Sequence, residues 1–309
     1  MAVSSPQLPA VLVEAFGAGP LQGNGAAVVL LNAPAADPWM QALAASFKQS
    51  ETAFLLQLGD GAWALRWFTP SCEVPLCGHA TLAATLALGH WGRLQAGQTV
   101  TLRTRSGGLA VCLLGNEHSD TTGASLVLPS GALTAMEAPG YLEQLLGCQL
   151  EGYWRSGLGY RVALLPGAVP LASVGMLAPE LQQDDRQGLV LMQRWSDANP
   201  AQPTGHGEVR VLGCSPNYQL RFFAPGLGID EDPVTGSAHA LVAPWWMREL
   251  DLPRVVGWQP SSRRGGMICD SPAPGSVRLT GTGHLLWDGH LNAGGMELDP
   301  QSWHALAAC

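Results

Sequence analysis

The sequence predicts an α+β protein of two similar units, each a mostly β structure wrapped around one buried helix. Three observations carry that prediction. The hexapeptide LRWFTP at 65–70 returns as LRFFAP at 220–225, and each copy leads through an acid-containing loop to a glycine (Gly78, Gly236) and a run of small apolar residues. One shared hexapeptide is within reach of chance, but the same sequel after both copies marks a duplication. The runs that follow, 80–88 and 238–246, hold no ionisable side chain except His239, and a helix apolar all round is a buried helix. The rest of each half falls into short runs rich in Val, Leu and aromatics, punctuated by Gly, Asn and Pro, which is the pattern of strands.

In chain order, strands are expected at 11–16 and 26–31. Asp37 followed by Pro38 reads as an N-cap with proline at the first helical position, so a helix should occupy 38–47. Strands at 52–58 and 63–68 then lead to the first central helix. The segment 129–139 is the best linker, dividing the chain into domains 1–128 and 129–309, with residues from about 290 onward packing back on the first. The second half should hold a helix at 141–146, strands at 160–165, 188–193, 208–212 and 219–223, and the second central helix after Gly236.

Composition bounds the function. With 309 residues, 47% hydrophobic and 13% charged, the chain has material for two cores. A net charge of -8 argues against a nucleic-acid or anionic-membrane surface, so an anionic ligand must be held by local donors. The run 80–88 is too short to span a bilayer, and the opening MAVSSPQLPAVLVEAF lacks the basic start and long apolar core of a signal peptide, so the cytosol is the expected location. Seven scattered cysteines without a CxxC pair read as reduced thiols. The central helices still expose N–H groups and the positive ends of their dipoles. If the two halves face each other, both N-termini converge on one cleft suited to a carboxylate or phosphate.

The motifs QGNGAAVVLL at 22–31, SETAF at 50–54, LRWFTP with EVPLCGHATLAA within 65–84, and DEDPVTGSAHALVAPWW at 230–246 resemble the phenazine-biosynthesis-like (PhzF-like) family. The resemblance covers most of the chain. It implies the diaminopimelate-epimerase-like fold: two pseudo-symmetric domains, each a mostly antiparallel, barrel-like sheet around a central buried helix. It also implies a homodimer and a cofactor-independent isomerase that moves a proton between carbons of a small, cyclic or conjugated carboxylic acid.

The site residues follow from matched positions. Glu51, where a helix gives way to an apolar strand, is a carboxylate beside a core element and the catalytic acid/base that the family implies. His79, just inside the first central helix, can bond a substrate carboxylate or hold the proton acceptor. Asp232 and Ser237 are the matching residues of the second half, which the family places across the cleft from the glutamate and histidine. Gly78, His79, Gly236 and Ser237 are candidate anion-site donors through backbone N–H groups and side chains. Asp230 and Glu231 read as solvated loop acids, since Val234 and Leu241 break the calcium-loop pattern.

Two rivals stay open. A two-base epimerase or racemase would use a cysteine before each central glycine; Cys77 is present, but Thr235 holds the second position. A binding protein that kept the fold and lost the chemistry is the other. No metal, nucleotide or flavin is indicated. Lys48 is the only lysine, so there is no Walker A motif; GAGPLQG at 17–23 leads into a strand-like run; and HExxH and metal-like Cys/His spacings are absent.

Overall fold

The computed structural model describes residues 7–115, 122–196 and 209–307. In chain order the elements are β1 (Gln7–Ala15), β2 (Asn24–Leu31), α1 (Asp37–Phe47), β3 (Glu51–Gln57), β4 (Trp63–Phe68), β5 (Glu73–Val74), α2 (Gly78–His90), β6 (Thr99–Thr104), β7 (Gly107–Leu113) and β8 (Thr122–Pro129). There follow β9 (Leu133–Ala135), α3 (Gly140–Leu146), β10 (Gly152–Ser156), β11 (Arg161–Leu164), β12 (Leu189–Arg194), β13 (Tyr218–Ala224), β14 (Ile229–Asp232), α4 (Gly236–Glu249), β15 (Arg254–Gln259), β16 (Gly265–Asp270), β17 (Ser276–Asn292) and α5 (Gln301–Ala307).

The chain forms two compact units that are not its two contiguous halves. Unit 1 comprises 1–16, 24–127 and 282–309, and unit 2 comprises 17–23 and 128–281. The segment from 282 onward lies with unit 1, a larger share than the residues from about 290 expected there, and 17–23 lies with unit 2. Within unit 1, Trp303 of α5 donates its indole N–H to the Ala35 carbonyl at 2.9 Å and packs in a core with Leu8, Met40 and Phe54. The expected linker is also not free chain, because β9 within it pairs with β10.

The duplication is written in the strand pairings. Unit 1 reads β17-β1-β2-β3-β4-β6-β7-β8, with β2–β3 and β4–β6 parallel and the β17–β1, β1–β2, β3–β4, β6–β7 and β7–β8 pairs antiparallel. Unit 2 reads β9-β10-β11-β12-β13-β15-β16-β17, with β11–β12 and β13–β15 parallel and the β9–β10, β10–β11, β12–β13, β15–β16 and β16–β17 pairs antiparallel. Strand order and sense agree position by position. In unit 1 this barrel-like sheet surrounds α2, buried from Gly78 through Leu88. In unit 2 the sheet holds α4, buried at Gly236, from Ala238 to Ala243 and at Trp246, with Pro244 inside the helix.

Each copy carries the same buried ion pair on its sheet. Arg66 of β4 grips Glu73 of β5 with two charge-assisted hydrogen bonds, Nε to Oε1 at 2.8 Å and a terminal nitrogen to Oε2 at 2.7 Å. Arg221 of β13 grips Glu231 of β14 in the same two-pronged way, both at 2.7 Å. The guanidinium carbon then lies over Phe68 in one unit and Phe223 in the other. Glu231 is thus no solvated loop acid: its side chain is only 9% exposed, because a buried arginine requires a carboxylate beside it. Asp230 beside it is exposed.

Two local expectations need correction. Asp37 does not cap α1; Ala36 is the N-cap, and Asp37 lies inside the helix with its carboxylate 2.8 Å from Arg66, a stronger partner than a backbone N–H. Of the strand expected at 208–212, Glu208 lies outside the described residues. The remainder forms only a single bridge, Val211 with Cys214, because the chain turns at Leu212 and Gly213, both at positive φ.

Candidate active site

The first cluster forms where the N-terminal ends of β2 and β3 meet the N-terminus of α2. β2 and β3 run parallel with Ala26 opposite Glu51, so Asn24, Ser50 and Glu51 gather at one end of the sheet. Cys77 is the extended N-cap of α2 and His79 lies in its first turn. A directional chain results. The Ser50 hydroxyl donates to Asn24 Oδ1 at 2.9 Å, Asn24 Nδ2 stands 3.2 Å from His79 Nδ1, and His79 Nε2 stands 2.9 Å from Glu51 Oε2. Amide orientation and imidazole protonation go together here: with Nδ1 unprotonated the Asn24 nitrogen donates to it, and with Nδ1 protonated the amide turns its oxygen to the ring and its nitrogen to the Ser50 hydroxyl.

Glu51 and His79 are 8% and 4% exposed, so both act out of bulk water. Although His79 is at ion-pair distance, Glu51 Oε2 has no aligned hydrogen-bond donor among the described residues. The carboxylate is held at ion-pair distance by the imidazole and shielded from bulk water. Burial works against a charged His79, but the neighbouring Cys77 and the Glu51 carboxylate outweigh it and push its pKa well above the ordinary histidine value. The Cys77 thiol is pushed up to about 11, first by burial and then by the Glu51 carboxylate. It remains protonated near neutrality, which disfavours a thiolate base. The thiol, the imidazole and the carboxylate nevertheless bring three metal-type donor atoms within 4.8 Å of one another.

The second cluster surrounds the N-terminus of α4. Asp232, 8% exposed, accepts from the Thr235 hydroxyl at 2.6 Å. Gln259 of β15 clamps the same loop, donating to the Asp232 carbonyl at 2.6 Å and accepting from the Thr235 N–H at 2.9 Å. Ser237 is half-buried, its Oγ 3.3 Å from the Tyr160 hydroxyl. Thr235, which stands where the first unit has Cys77, is thereby committed to a carboxylate. Gly78 and Gly236 open their helices, where first-turn N–H groups lack intrahelical acceptors.

Of the residues singled out from the sequence, Glu51 and His79 are brought together in unit 1, and Asp232 and Ser237 flank one helix start in unit 2. Asn24, Ser50, Thr235 and Gln259 had no assigned role. The first three lie inside the quoted motifs, but only the fold shows what they bond. Gln259 had no sequence signal.

Two topologically matched barrel-like units, each with a polar cluster at the N-terminus of a buried helix, define a class: the duplicated epimerase-type α+β fold. A hydroxyproline epimerase from Agrobacterium vitis shares that fold with a TM-score of 0.54 and 16% identity, over 98% of each chain. The particular family is set by closer matches. The model of the phenazine biosynthesis-like proteins (PhzC-PhzF) matches residues 13–146 and 198–289, and the chain belongs to that family. An uncharacterized isomerase of Pseudomonas aeruginosa is 35% identical over 258 residues, covering 83% of this chain and 88% of the relative. A PhzF-family crystal structure from Enterococcus faecalis superposes with a TM-score of 0.77 at 28% identity, covering 93% of this chain and 99% of the other.

Proposed function

We propose that the protein is an isomerase that needs no cofactor and moves a proton between carbons of a small carboxylic acid, with Glu51 as the single acid/base. The observation that carries this reading is the buried Glu51 Oε2, unaligned with any donor among the described residues yet 2.9 Å from His79 Nε2. Glu51 takes a proton from a carbon made acidic by a conjugated carboxylate and returns it to a second carbon on the same face, so one base serves both steps. His79 holds the carboxylate in place and stabilises its charge until the proton arrives. Ser50 and Asn24 fix the imidazole so that the geometry needs no reorganisation at the moment of reaction. The helix starts at Gly78 and Gly236, with the Ser237 hydroxyl, are the donors proposed for the substrate's anionic groups. Asp232, already bonded to Thr235, is proposed to hold that second anion site in shape. The isomerase named among the relatives supports the reaction class.

The test is a screen of small cyclic and conjugated carboxylic acids for deuterium uptake from heavy water, with Glu51→Gln as control. On a turned-over acid, Glu51→Gln should lose about two to four orders of magnitude in exchange rate. Exchange at the wild-type rate in that variant refutes Glu51 as the base. Ser237→Ala should raise KM more than it lowers kcat, and a change confined to kcat would contradict its assignment to anion binding.

A further inference from the structure

We infer that Glu51, Cys77 and His79 form a binding site for a thiophilic divalent cation of the Zn²⁺ class, and that occupation of the site blocks proton transfer. The binding half stands on geometry alone; the blocking half rests on the function proposed for Glu51. The donor set is one sulfur, one imidazole nitrogen and one carboxylate oxygen, a mixture that suits zinc and other soft or borderline ions and not magnesium or calcium, which call for oxygens.

The distances suit one ion. A tetrahedral centre with bonds of about 2.3 Å to sulfur and about 2.0 Å to nitrogen sets those two ligands about 3.5 Å apart. Cys77 Sγ lies 4.0 Å from His79 Nε2, Nε2 lies 2.9 Å from Glu51 Oε2, and all three donor atoms fall within 4.8 Å of one another. Small side-chain rotations bring them to the vertices. Cys77 and His79 sit across the N-cap of one buried helix and Glu51 starts a strand locked by parallel pairing, so the ligands are held before an ion arrives.

The supporting groups are also present. With Nε2 on the metal, Nδ1 carries the hydrogen, so the Asn24 amide turns its oxygen to the ring and its nitrogen to the Ser50 hydroxyl, which can accept as well as donate, and the imidazole is held from behind. The unaligned Oε2 supplies a free lone pair. Three protein ligands leave a fourth position for water, the pattern of an open rather than a structural site. Binding breaks the Cys77 S–H bond, forms a metal–sulfur bond and releases the proton to the buffer. The ion then occupies the lone pair that Glu51 would use as a base.

The experiment uses metal-free protein, cobalt(II) as a spectroscopic probe and Zn²⁺ in competition with a chromophoric chelator. Expected are one equivalent of metal per chain, a near-ultraviolet sulfur-to-cobalt charge-transfer band, and loss of deuterium exchange in step with Zn²⁺ occupancy. Cys77→Ser should abolish the band and weaken Zn²⁺ binding at least about tenfold, while Cys72→Ser, at an exposed thiol, leaves both unchanged. Glu51→Gln, nearly identical in shape, should keep the band and weaken Zn²⁺ by a similar factor. A band that survives Cys77→Ser, or no stoichiometric binding by the wild-type chain, overturns the site. Full exchange at saturating Zn²⁺ overturns the block. The spectra need no substrate, so a failed exchange screen counts against the proposed reaction and not against the metal site.

Discussion

Acid should undermine the second central helix through His239, and the size of the effect follows from its surroundings. His239 is fully buried on α4, with the Tyr218 hydroxyl 2.8 Å from Nδ1 and no carboxylate among its bonded neighbours among the described residues. Burial pushes its pKa down to about 3 from an ordinary 6.5, with only the Gln259 side chain opposing. A depressed pKa means that the unfolded chain binds the proton more readily. The stabilising contribution is therefore complete above pH 6.5 and is lost as pH falls towards 3. At about 1.4 kcal/mol per pH unit, the contribution falls by about 2 kcal/mol between pH 7.5 and pH 5. The measurement is urea unfolding at those two pH values for wild type and His239→Gln, which does not titrate and still offers Tyr218 an acceptor. Wild type should lose about 2 kcal/mol more than the variant, with unchanged slopes in denaturant. Parallel losses in the two proteins would refute a neutral, buried His239.

Three further outcomes can be checked together. Gly257→Ala would place a methyl group 2.4 Å from His239 Nδ1 and 2.6 Å from the Tyr218 hydroxyl, in a core with no room to shift, and should lower stability by about 2 kcal/mol in thermal or urea unfolding. Glu231→Gln should cost about 3 kcal/mol because it leaves the Arg221 charge buried without its carboxylate, whereas Asp230→Asn next to it should change stability by less than about 0.5 kcal/mol. Asn24→Ala and Ser50→Ala should lower kcat about tenfold to a hundredfold with KM little moved, since each loosens His79 without touching substrate; an equal effect on KM would place them in substrate binding.

The duplicated fold was legible because it rests on local signals that repeat. The LRWFTP and LRFFAP copies mark β4 and β13, and the uncharged runs mark the central helices. Glu51 and His79 were legible one at a time, through the motifs that hold them. Their 2.9 Å contact was not, since it depends on the parallel pairing of β2 with β3 and on how α2 packs against them. Glu231 was misjudged for a related reason. In a string of three acids, nothing local tells which carboxylate meets an arginine ten positions upstream, and the two-pronged bond to Arg221 exists only once β13 and β14 pair. Asp37 was a similar case: the N-cap signal was local and correct in form, but the carboxylate found a buried arginine. The crossing of β17 from unit 2 into unit 1 after Gly281 left no mark in the repeat, because the repeat compares halves of a sequence and not units of a fold.

What the two units share and where they part distinguishes scaffold from chemistry. Strand order, strand sense, the buried helix and the Arg–Glu pair stacked on a phenylalanine recur in both, so these are the parts that folding demands twice. The helix starts differ. One carries Cys77 and His79 beside Glu51; the other carries Thr235 and Ser237, with Asp232 bonded to the threonine. A racemase working with two thiols would require a cysteine at both starts, and the second start has Thr235 instead. The divergence leaves the buried carboxylate–imidazole pair to one unit and a hydroxyl-bearing helix start to the other, the division of groups that the proposed single-base reaction uses.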